Sequence, residues 1–305
     1  MALNACFGRL KPRLQCVQSP NAYLTDYSPQ VTSTPIYQST NLPIYEELMH
    51  KTRRLNRILA RDGRALIVAM DHGAIQGPKG LERPGEVIRQ IADGGADAVL
   101  TTYGIVRTFG KELAPLGVIM RTDGGASTIG PDISESAPLY SVEDALRLGA
   151  DGVVANAGPG HRNEVQHMEW LASLGADCDQ WGMVLVAEMK PGGFDSGPEF
   201  QTLPNHMLAA RLGSEYGADL IKMPHCDGFE AVVAGCYTPI VVLGGSKMSE
   251  EQLVTMVHGA MQAGAVGCAV GRNIWGAADP TKMTAALAAV IHGNASIVEA
   301  MKLLG

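Results

Sequence analysis

The sequence lacks several features that would assign it to a broad class of protein. Among its 305 residues, no apolar run approaches the length of a membrane span. The net charge of −7 argues against nucleic acid or an anionic membrane surface as the main partner. Only 18% of the residues are charged and 46% are hydrophobic, which predicts one large globular domain or two small ones.

The sequence is also poor in cysteine motifs. Its six cysteines are scattered, and no two form a CxxC pair. This distribution predicts reduced thiols in an intracellular protein and disfavours a disulfide framework or a zinc site. We therefore expect a cytoplasmic location, with an organelle left open because of the amino-terminal segment described next.

Residues 1–42 differ in composition from the rest of the chain. They are rich in Ser, Thr, Pro, Gln and Tyr, and three basic residues precede the first acidic one, Asp26. The segment is either a targeting sequence or an arm that contacts another subunit. Residues 43–305 form the second predicted unit, a single barrel domain. It begins with a helix over residues 46–61 that carries a basic patch of Lys51, Arg53 and Arg54.

One pattern then repeats along the chain: a short apolar run followed, in most cases, by a segment with helical periodicity. The eight runs are ALIVAM (65–70), GADAVLTT (95–102), GVIMR (117–121), GADGVVAN (149–156), GMVLVA (182–187), LIKM (220–223), PIVVL (239–243) and GAVGCAV (264–270). Continuous apolar strands that alternate with helices predict a parallel sheet covered by helices.

The boundaries of these units carry turn and capping signals. Four strands are preceded by Gly-Ala-Asp or Gly-Ala-Val, which predicts a left-handed glycine after a helix and then a short turn. Ser141 and Ser249 each begin a capping-box pattern, and Pro280 suits a first helical turn. Eight units predict an α/β fold, a (β/α)8 TIM barrel with an amino-terminal arm and helix. An open doubly wound sheet would need a phosphate fingerprint after the first strand, where Asp71-His72-Gly73 stands instead.

Polar residues follow the strands, at the end of the barrel where chemistry collects in such folds. They are Asp71 with His72, Tyr103, Arg121 with Asp123, Asn156, Glu188 with Lys190, Lys222 with His225, Gly244 to Lys247, and Gly271 to Asn273. This set predicts a polar ring around one mouth of an apolar barrel.

The last two groups in this ring predict a phosphate site. Gly244, Gly245 and Ser246 allow backbone N–H groups to approach an anion, just before a helix whose amino terminus is positive. Gly271 and Arg272, after the next strand, add a guanidinium group. Loops after the seventh and eighth strands are the usual phosphate site of this fold.

Lys222 lies in the middle of a strand that is otherwise apolar. A buried lysine is costly unless it is paired or neutral. It either reaches the strand end or an ion pair, or it acts as a desolvated amine that attacks a carbonyl to form a Schiff base. Together with a phosphate site, it favours carbon–carbon chemistry on a phosphorylated carbonyl compound.

Asp71 could cap a helix, pair with the amine, or shuttle protons from a substrate hydroxyl. His72, His161 and His225 also follow strands, so they could hold a metal. None of the three belongs to an HxH or ExxH pair, so the sequence predicts no metal site. A flavin or nucleotide oxidoreductase could share the phosphate loops but would leave Lys222 unexplained, so no cofactor is predicted.

Several of these segments together resemble the DeoC/FbaB-type class I aldolases, which include archaeal-type fructose-bisphosphate aldolase, a thiolase acting on phosphorylated autoinducer-2 and a transaldolase-like enzyme. The resemblance rests on AMDHG (69–73), QGP (76–78), GLE (80–82), ADLIK (218–222), FEAVVAGC (229–236), GGSK (244–247) and VGRN (270–273). It implies a metal-independent aldolase, or a transferase of the same family, that acts on a small phosphorylated carbonyl substrate and forms a homo-oligomer.

The resemblance also implies roles for individual residues. Lys222 is similar to the Schiff-base lysine, and Asp71 to the aspartate that handles substrate hydroxyls and protons. The phosphate cradle would be Gly244, Gly245, Ser246, Gly271 and Arg272.

The sequence departs from the family pattern at one position. Met189 stands where fructose-bisphosphate aldolases have a tyrosine acid, which would pass that role to Glu188, Lys190 or a histidine. Two segments, 76–82 and 233–236, resemble the thiolase branch of the family more than the fructose-bisphosphate aldolases. A barrel that binds a sugar phosphate without turnover and a metal-dependent aldolase are the competing hypotheses.

Overall fold

A computed structural model describes residues 50–77, 79–133 and 135–305. The predicted arm (residues 1–42), its boundary at residue 43 and the start of the first predicted helix lie outside the described residues.

The predicted barrel is confirmed. Its eight parallel strands are β1 (Ala65–Ala69), β2 (Ala98–Thr101), β3 (Gly117–Arg121), β6 (Gly152–Ala157), β7 (Val184–Met189), β8 (Leu220–Met223), β9 (Ile240–Leu243) and β10 (Gly267–Val270). They close into a ring in the order β1-β10-β9-β8-β7-β6-β3-β2. Each overlaps one of the eight apolar runs in the sequence.

Helices follow the strands and cover the outside of the barrel. Their bounds are α1 (Thr52–Ile58), α2 (Pro84–Asp93), α3 (Tyr103–Thr108), α4 (Gly110–Leu113), α5 (Val142–Arg147), α6 (Glu164–Trp181), α7 (Leu203–Glu215), α8 (Phe229–Ala234), α9 (Glu250–Gln262), α10 (Arg272–Trp275), α11 (Pro280–Ile291) and α12 (Ile297–Lys302). Two short 3₁₀ helices span Asp71–Ala74 and Pro198–Phe200. No helix in the described part of the chain is long and apolar enough to cross a membrane.

An antiparallel hairpin interrupts the repeat after β3. Its strands are β4 (Asp123–Gly125) and β5 (Ser136–Pro138). In the segment between them, the Thr128 amide donates to the Ile75 carbonyl at 3.0 Å, and the Ile133 amide donates to Asp195 at 3.2 Å. This mouth hairpin therefore contacts the loops that follow β1 and β7.

The core is divided by the two-residue period of the strands. One set of apolar side chains fills the barrel interior, and a larger set packs between strands and helices. The interior set comprises Ala65, Ile67, Ala69, Ala98, Leu100, Ile119, Val154, Val184, Val186, Leu220, Val241 and Ala269, joined by Leu55, Ile58 and Leu59 of the α1 region. Helix α1 therefore packs against the interior of the barrel.

The capping predictions are confirmed. Ser141 and Ser249 form capping boxes at α5 and α9, and Pro280 occupies the first turn of α11. The glycines before β2, β6, β8 and β10 all have φ between +75° and +98°, in the left-handed region that favours glycine.

The aspartates of the three Gly-Ala-Asp segments that precede strands have a role that the sequence did not indicate. Each accepts a hydrogen bond from the first part of a neighbouring strand: Asp97 from Leu66 N, Asp151 from Val118 N and Asp219 from Leu185 N. Each also pairs with a basic residue, which is His292, Arg57 and Lys51 respectively. These pairs lie at the amino-terminal end of the barrel and link it to α1 and α11.

Lys51 corrects the predicted basic patch. It is fully buried at the start of α1, and its Nζ lies 2.6 Å from Asp179 and 3.0 Å from Asp219. Arg54 donates to the carbonyl of Gly182 at 3.0 Å. Of the three residues in the predicted patch, Arg53 alone is exposed, because the other two attach α1 to the barrel.

Candidate active site

The polar ring predicted at the strand ends is present, and the strand period explains which of its members face inward. Leu220, Val186 and Ile119 point into the barrel, so the residues two positions later, Lys222, Glu188 and Arg121, point the same way. Lys222 and Glu188 are neighbours in the register of β7 and β8. Each of these three polar residues is at most 7% exposed.

Lys222 is paired inside the barrel. Its Nζ lies 2.6 Å from Oε1 of Glu188. The cost of burying the lysine is thus offset by a carboxylate, one of the arrangements left open by the sequence.

Arg121 connects the other acidic residues to this pair. Its Nε donates to Asp71 Oδ2 at 2.5 Å, its Nη1 donates to Asp123 Oδ1 at 2.9 Å, and its Nη2 donates to Oε2 of Glu188. One guanidinium therefore holds three buried carboxylates. The sequence placed Arg121 in the ring without giving it a role, because residue spacing does not reveal which long side chains meet across a barrel.

The charges in this network favour ionised carboxylates. Burial favours the neutral acid of Glu188, but the Lys222 and Arg121 charges outweigh it and lower the pKa of Glu188. At Asp71, burial is likewise outweighed by Arg121, by the neighbouring His72, whose Nδ1 lies 3.4 Å from Oδ1, and by Lys222, so the pKa is held well below its usual range. The carboxylates in turn outweigh burial at Arg121 and raise its pKa. Lys222 and Arg121 thus face the side chains of Asp71, Asp123 and Glu188 in a space almost closed to solvent.

Met189 and Lys190 have different environments. Met189 is fully buried and packs in the layer between strands and helices, so it faces away from the interior. Lys190, two residues after Glu188, donates from Nζ to the Phe194 carbonyl at 2.9 Å. Burial lowers the pKa of Lys190, although the Asp195 and Glu188 charges oppose the shift.

The predicted phosphate residues come together at the ends of β9 and β10. Arg272 Nη2 donates to the Gly245 carbonyl at 3.2 Å, which joins the two loops. Gly245 has φ +61°, a conformation in the left-handed region. Within the described chain, no protein group accepts from the backbone N–H groups of Gly245 or Ser246, so these donors are available to an anion.

Asn273 shapes the first of these loops. Its Nδ2 donates to the carbonyls of Gly244 at 3.1 Å and Ser246 at 3.0 Å, and its Oδ1 accepts from the Met248 amide at 3.0 Å. The side chain is almost fully buried. Asn273 therefore fixes the loop conformation, a function for which its position directly after Arg272 was the only signal in the sequence.

The three histidines that were weighed as metal ligands, and for which the sequence predicts no metal site, have separate environments. His72 Nδ1 lies 3.4 Å from Asp71 and its ring packs edge-on to Trp275, whereas His225 packs against Phe229 and His161 stacks on His167. In the part of the chain that the structure describes, no three His, Cys, Asp or Glu side chains are grouped so as to hold a metal ion. The arrangement gives no support to the metal-dependent alternative.

Comparison with known proteins shows the family to which the chain belongs. The model of the DeoC/LacD family aldolases matches residues 65–277. The chain is 36% identical over 260 residues to 2-amino-3,7-dideoxy-D-threo-hept-6-ulosonate synthase 1 of Archaeoglobus fulgidus, covering 85% of this chain and 97% of the relative. It is also 36% identical over 253 residues to 3-hydroxy-5-phosphonooxypentane-2,4-dione thiolase of Yersinia enterocolitica, covering 82% of this chain and 85% of that one.

Solved structures give the same result. An archaeal fructose-1,6-bisphosphate aldolase, described with its catalytic lysine covalently bound to the carbinolamine intermediate of the substrate, has 30% identity and a TM-score of 0.72. The match covers 80% of this chain and all of the other. The resemblance inferred from the sequence motifs is confirmed: the chain belongs to the DeoC/LacD family of aldolases.

Proposed function

We propose that the chain is a class I enzyme that forms a Schiff base between Lys222 and a phosphorylated ketose and then breaks or makes the adjacent carbon–carbon bond. The observation that carries this proposal is the position of Lys222, which is buried inside the barrel and 2.6 Å from Glu188. A lysine in that place has a proton acceptor beside it and a polar mouth in front of it. Cleavage of fructose 1,6-bisphosphate, the activity for which a structural relative is named, is the first reaction to test.

Glu188 accepts the proton that Lys222 must lose before it attacks. The free amine adds to the substrate carbonyl to give a carbinolamine, whose hydroxyl takes back the proton held by Glu188 and leaves as water to give a cationic iminium. In this state Glu188, ionised again, faces the iminium in place of the ammonium. When the neighbouring carbon–carbon bond breaks, its electron pair moves into the iminium and gives a neutral enamine.

Asp71 acts on the hydroxyl from which the bond breaks. Arg121 orients it through Oδ2, which leaves Oδ1 towards His72 and the mouth. An ionised carboxylate in this position accepts the hydroxyl proton as the aldehyde product forms. The substrate phosphate binds to Gly244, Gly245, Ser246, Gly271 and Arg272, whose backbone N–H groups and guanidinium suit an anion.

Borohydride reduction in the presence of dihydroxyacetone phosphate tests the proposal. The expected product is a reduced adduct on Lys222, located by peptide mass spectrometry, and the Lys190 peptide in the same digest serves as the internal control. A Lys222→Met variant should give no adduct. If the wild-type chain binds the compound but Lys222 keeps its mass, the Schiff-base proposal is wrong.

A transfer reaction on a phosphorylated diketone is the second candidate. Two observations favour it: Met189 lacks an ionisable group and faces away from the site, and one curated relative is a thiolase of 3-hydroxy-5-phosphonooxypentane-2,4-dione. The same trapping experiment with that diketone separates the two candidates. Faster labelling of Lys222 by the diketone than by fructose 1,6-bisphosphate favours the transferase.

A further inference from the structure

The ends of β3 and β6 lie across the barrel mouth from the two glycine loops. In the closed ring, β3 is opposite β9, and β6 is opposite β10. A ketose phosphate that is anchored at those loops and has its carbonyl at Lys222 extends its remaining carbons across the mouth. This step rests on the proposed function, because it takes the positions of the phosphate and the carbonyl as given.

Two side chains on that far side have buried polar atoms without partners among the described residues. His167, in the first turn of α6, is 6% exposed, and neither ring nitrogen has a hydrogen-bond partner there. The same holds for Oδ1 of Asn156, the residue that pairs with Glu188 in the register of β6 and β7. A buried polar atom that lacks a hydrogen-bond partner destabilises the folded chain. A ligand that forms hydrogen bonds with these atoms would remove this destabilisation.

These atoms belong to one corner of the mouth. The Asn156 amide donates to Asp123 Oδ2 at 3.1 Å, and Asp123 in turn bonds to Arg121 of the buried network. The Asp123 charge also acts on the His167 ring, since it opposes the lowering of the His167 pKa. Burial and the neighbouring His161 lower the pKa of His167, so its ring is neutral at physiological pH and offers one donor and one acceptor.

The charge of this corner does not suit a second phosphate. The segments after β3 and β6 carry the carboxylates Asp123, Asp132 and Glu135. Their basic residue, Arg162, bonds to Glu135 and lies 2.8 Å from Asp132. A phosphate placed here would meet carboxylates without an uncommitted guanidinium, and repulsion between like charges is unfavourable at such distances.

We propose that Asn156 and His167, with Asp123 as the buried carboxylate that positions Asn156, form a distal subsite that binds hydroxyl groups at the end of the ketose remote from its phosphate. The subsite provides a donor and acceptors at fixed positions, which match hydroxyls, and its carboxylates disfavour a phosphate. The preferred substrate is therefore a ketose monophosphate whose remote end is hydroxylated.

Fructose 1-phosphate and fructose 1,6-bisphosphate are a matched pair for the test, because they differ at the remote end alone. The measurement is the half-saturating concentration for borohydride labelling of Lys222 in the full chain. We expect the value for the monophosphate to be lower by at least about tenfold. Equal values, or a preference for the bisphosphate, overturn the proposal.

A His167→Phe variant tests the assigned residue, since phenylalanine keeps a ring that can stack on His161 but removes both nitrogens. The half-saturating concentration of fructose 1-phosphate, divided by that of dihydroxyacetone phosphate, should rise about tenfold, as for the loss of one buried hydrogen bond. An unchanged ratio assigns His167 a structural role only and overturns the proposal at this residue. Asn156→Ala should shift the same ratio in the same direction, which provides a second variant if the first fails to fold.

Calorimetric binding of the same two ketose phosphates separates this inference from the proposed function. If Lys222 is never labelled but the monophosphate still binds more tightly, the Schiff-base mechanism fails and the subsite stands. If Lys222 is labelled and the preference is absent, the opposite conclusion holds.

Discussion

At the scale of single residues, the proposed role of Glu188 as the proton acceptor of Lys222 can be tested directly. It contacts both Lys222 and Arg121, whereas Asp123 contacts Arg121 and not the lysine. We expect Glu188→Gln to slow Schiff-base labelling of Lys222 by about 10²-fold or more, because an amide cannot take the proton of the amine.

Asp123→Asn is the matched control for that prediction, since it also removes one buried carboxylate from Arg121. Both variants should lower the free energy of unfolding, but the glutamine variant should have the larger effect on the labelling rate. Equal rates in the two variants would mean that Glu188 acts only through the charge balance of the network.

Some residues of this network could be predicted from the sequence and others could not. The position of Lys222 in the middle of an apolar strand was sufficient to single it out, because a buried lysine is costly unless it is paired or neutral. The strand period could also have predicted that Glu188 and Lys222 share the interior. It could not predict that Arg121, two strands from β7 in the ring, reaches Glu188 and Asp71, because that contact depends on the diameter of the barrel and on side-chain length.

At the scale of elements, the repeated Gly-Ala-Asp segments illustrate what a local pattern reveals. The conformation of the glycine could be predicted because few other residues adopt left-handed backbone angles. The contacts of the aspartate could not be predicted, because its partners belong to a neighbouring strand and to helices distant in sequence. The same reason explains the error at Lys51, which appeared to be one of three exposed basic residues on a helix.

Lys51 gives a prediction about how α1 is attached. Burial disfavours its ammonium form, but Asp219 and Asp179 outweigh this and raise the pKa of Lys51. We expect Lys51→Met to reduce the free energy of unfolding by roughly 3–5 kcal/mol, because it leaves a buried carboxylate unpaired. Urea denaturation provides the measurement.

Arg53→Met is the control for Lys51, since Arg53 is exposed on the same helix. It should change the free energy of unfolding by less than about 0.5 kcal/mol. Adding Asp219→Asn to Lys51→Met should recover part of the loss. A double variant that is less stable by the sum of the two single effects would contradict a direct pairing.

At the scale of the whole molecule, the fold followed from the sequence because eight similar units admit few architectures. The ring order then fixes which loops face each other, and so brings Lys222 and the glycine loops to one mouth. Substrate choice depends instead on the mouth hairpin and the far ends of β3 and β6. Those segments follow no repeat, so their contacts with other loops could not be read from the chain.

The contacts of His292 with Asp62 and Asp97, at the amino-terminal end of the barrel, should make the free energy of unfolding depend on pH. His292, at the end of α11, bonds through Nδ1 to Asp62 at 2.8 Å and through Nε2 to Asp97 at 3.0 Å. Both ring nitrogens can donate only in the imidazolium form. The hydrogen bond to Asp97, followed by that to Asp62, outweighs burial and raises the pKa of His292 to about 9.

Since the pKa of an unfolded histidine is about 6.5, the folded chain holds this proton more tightly than the unfolded chain. The stabilisation is therefore complete below about pH 6.5 and is lost as the pH rises through about 9. We expect His292→Gln to lower the free energy of unfolding by roughly 1–3 kcal/mol near pH 6, with the difference from wild type shrinking towards pH 10. Denaturant melts of both proteins across this range measure the difference, in which titrations common to the two chains cancel. A difference that stays constant with pH would show that His292 contributes by packing and neutral hydrogen bonds, and that the charge between Asp62 and Asp97 does not hold α11 to the barrel.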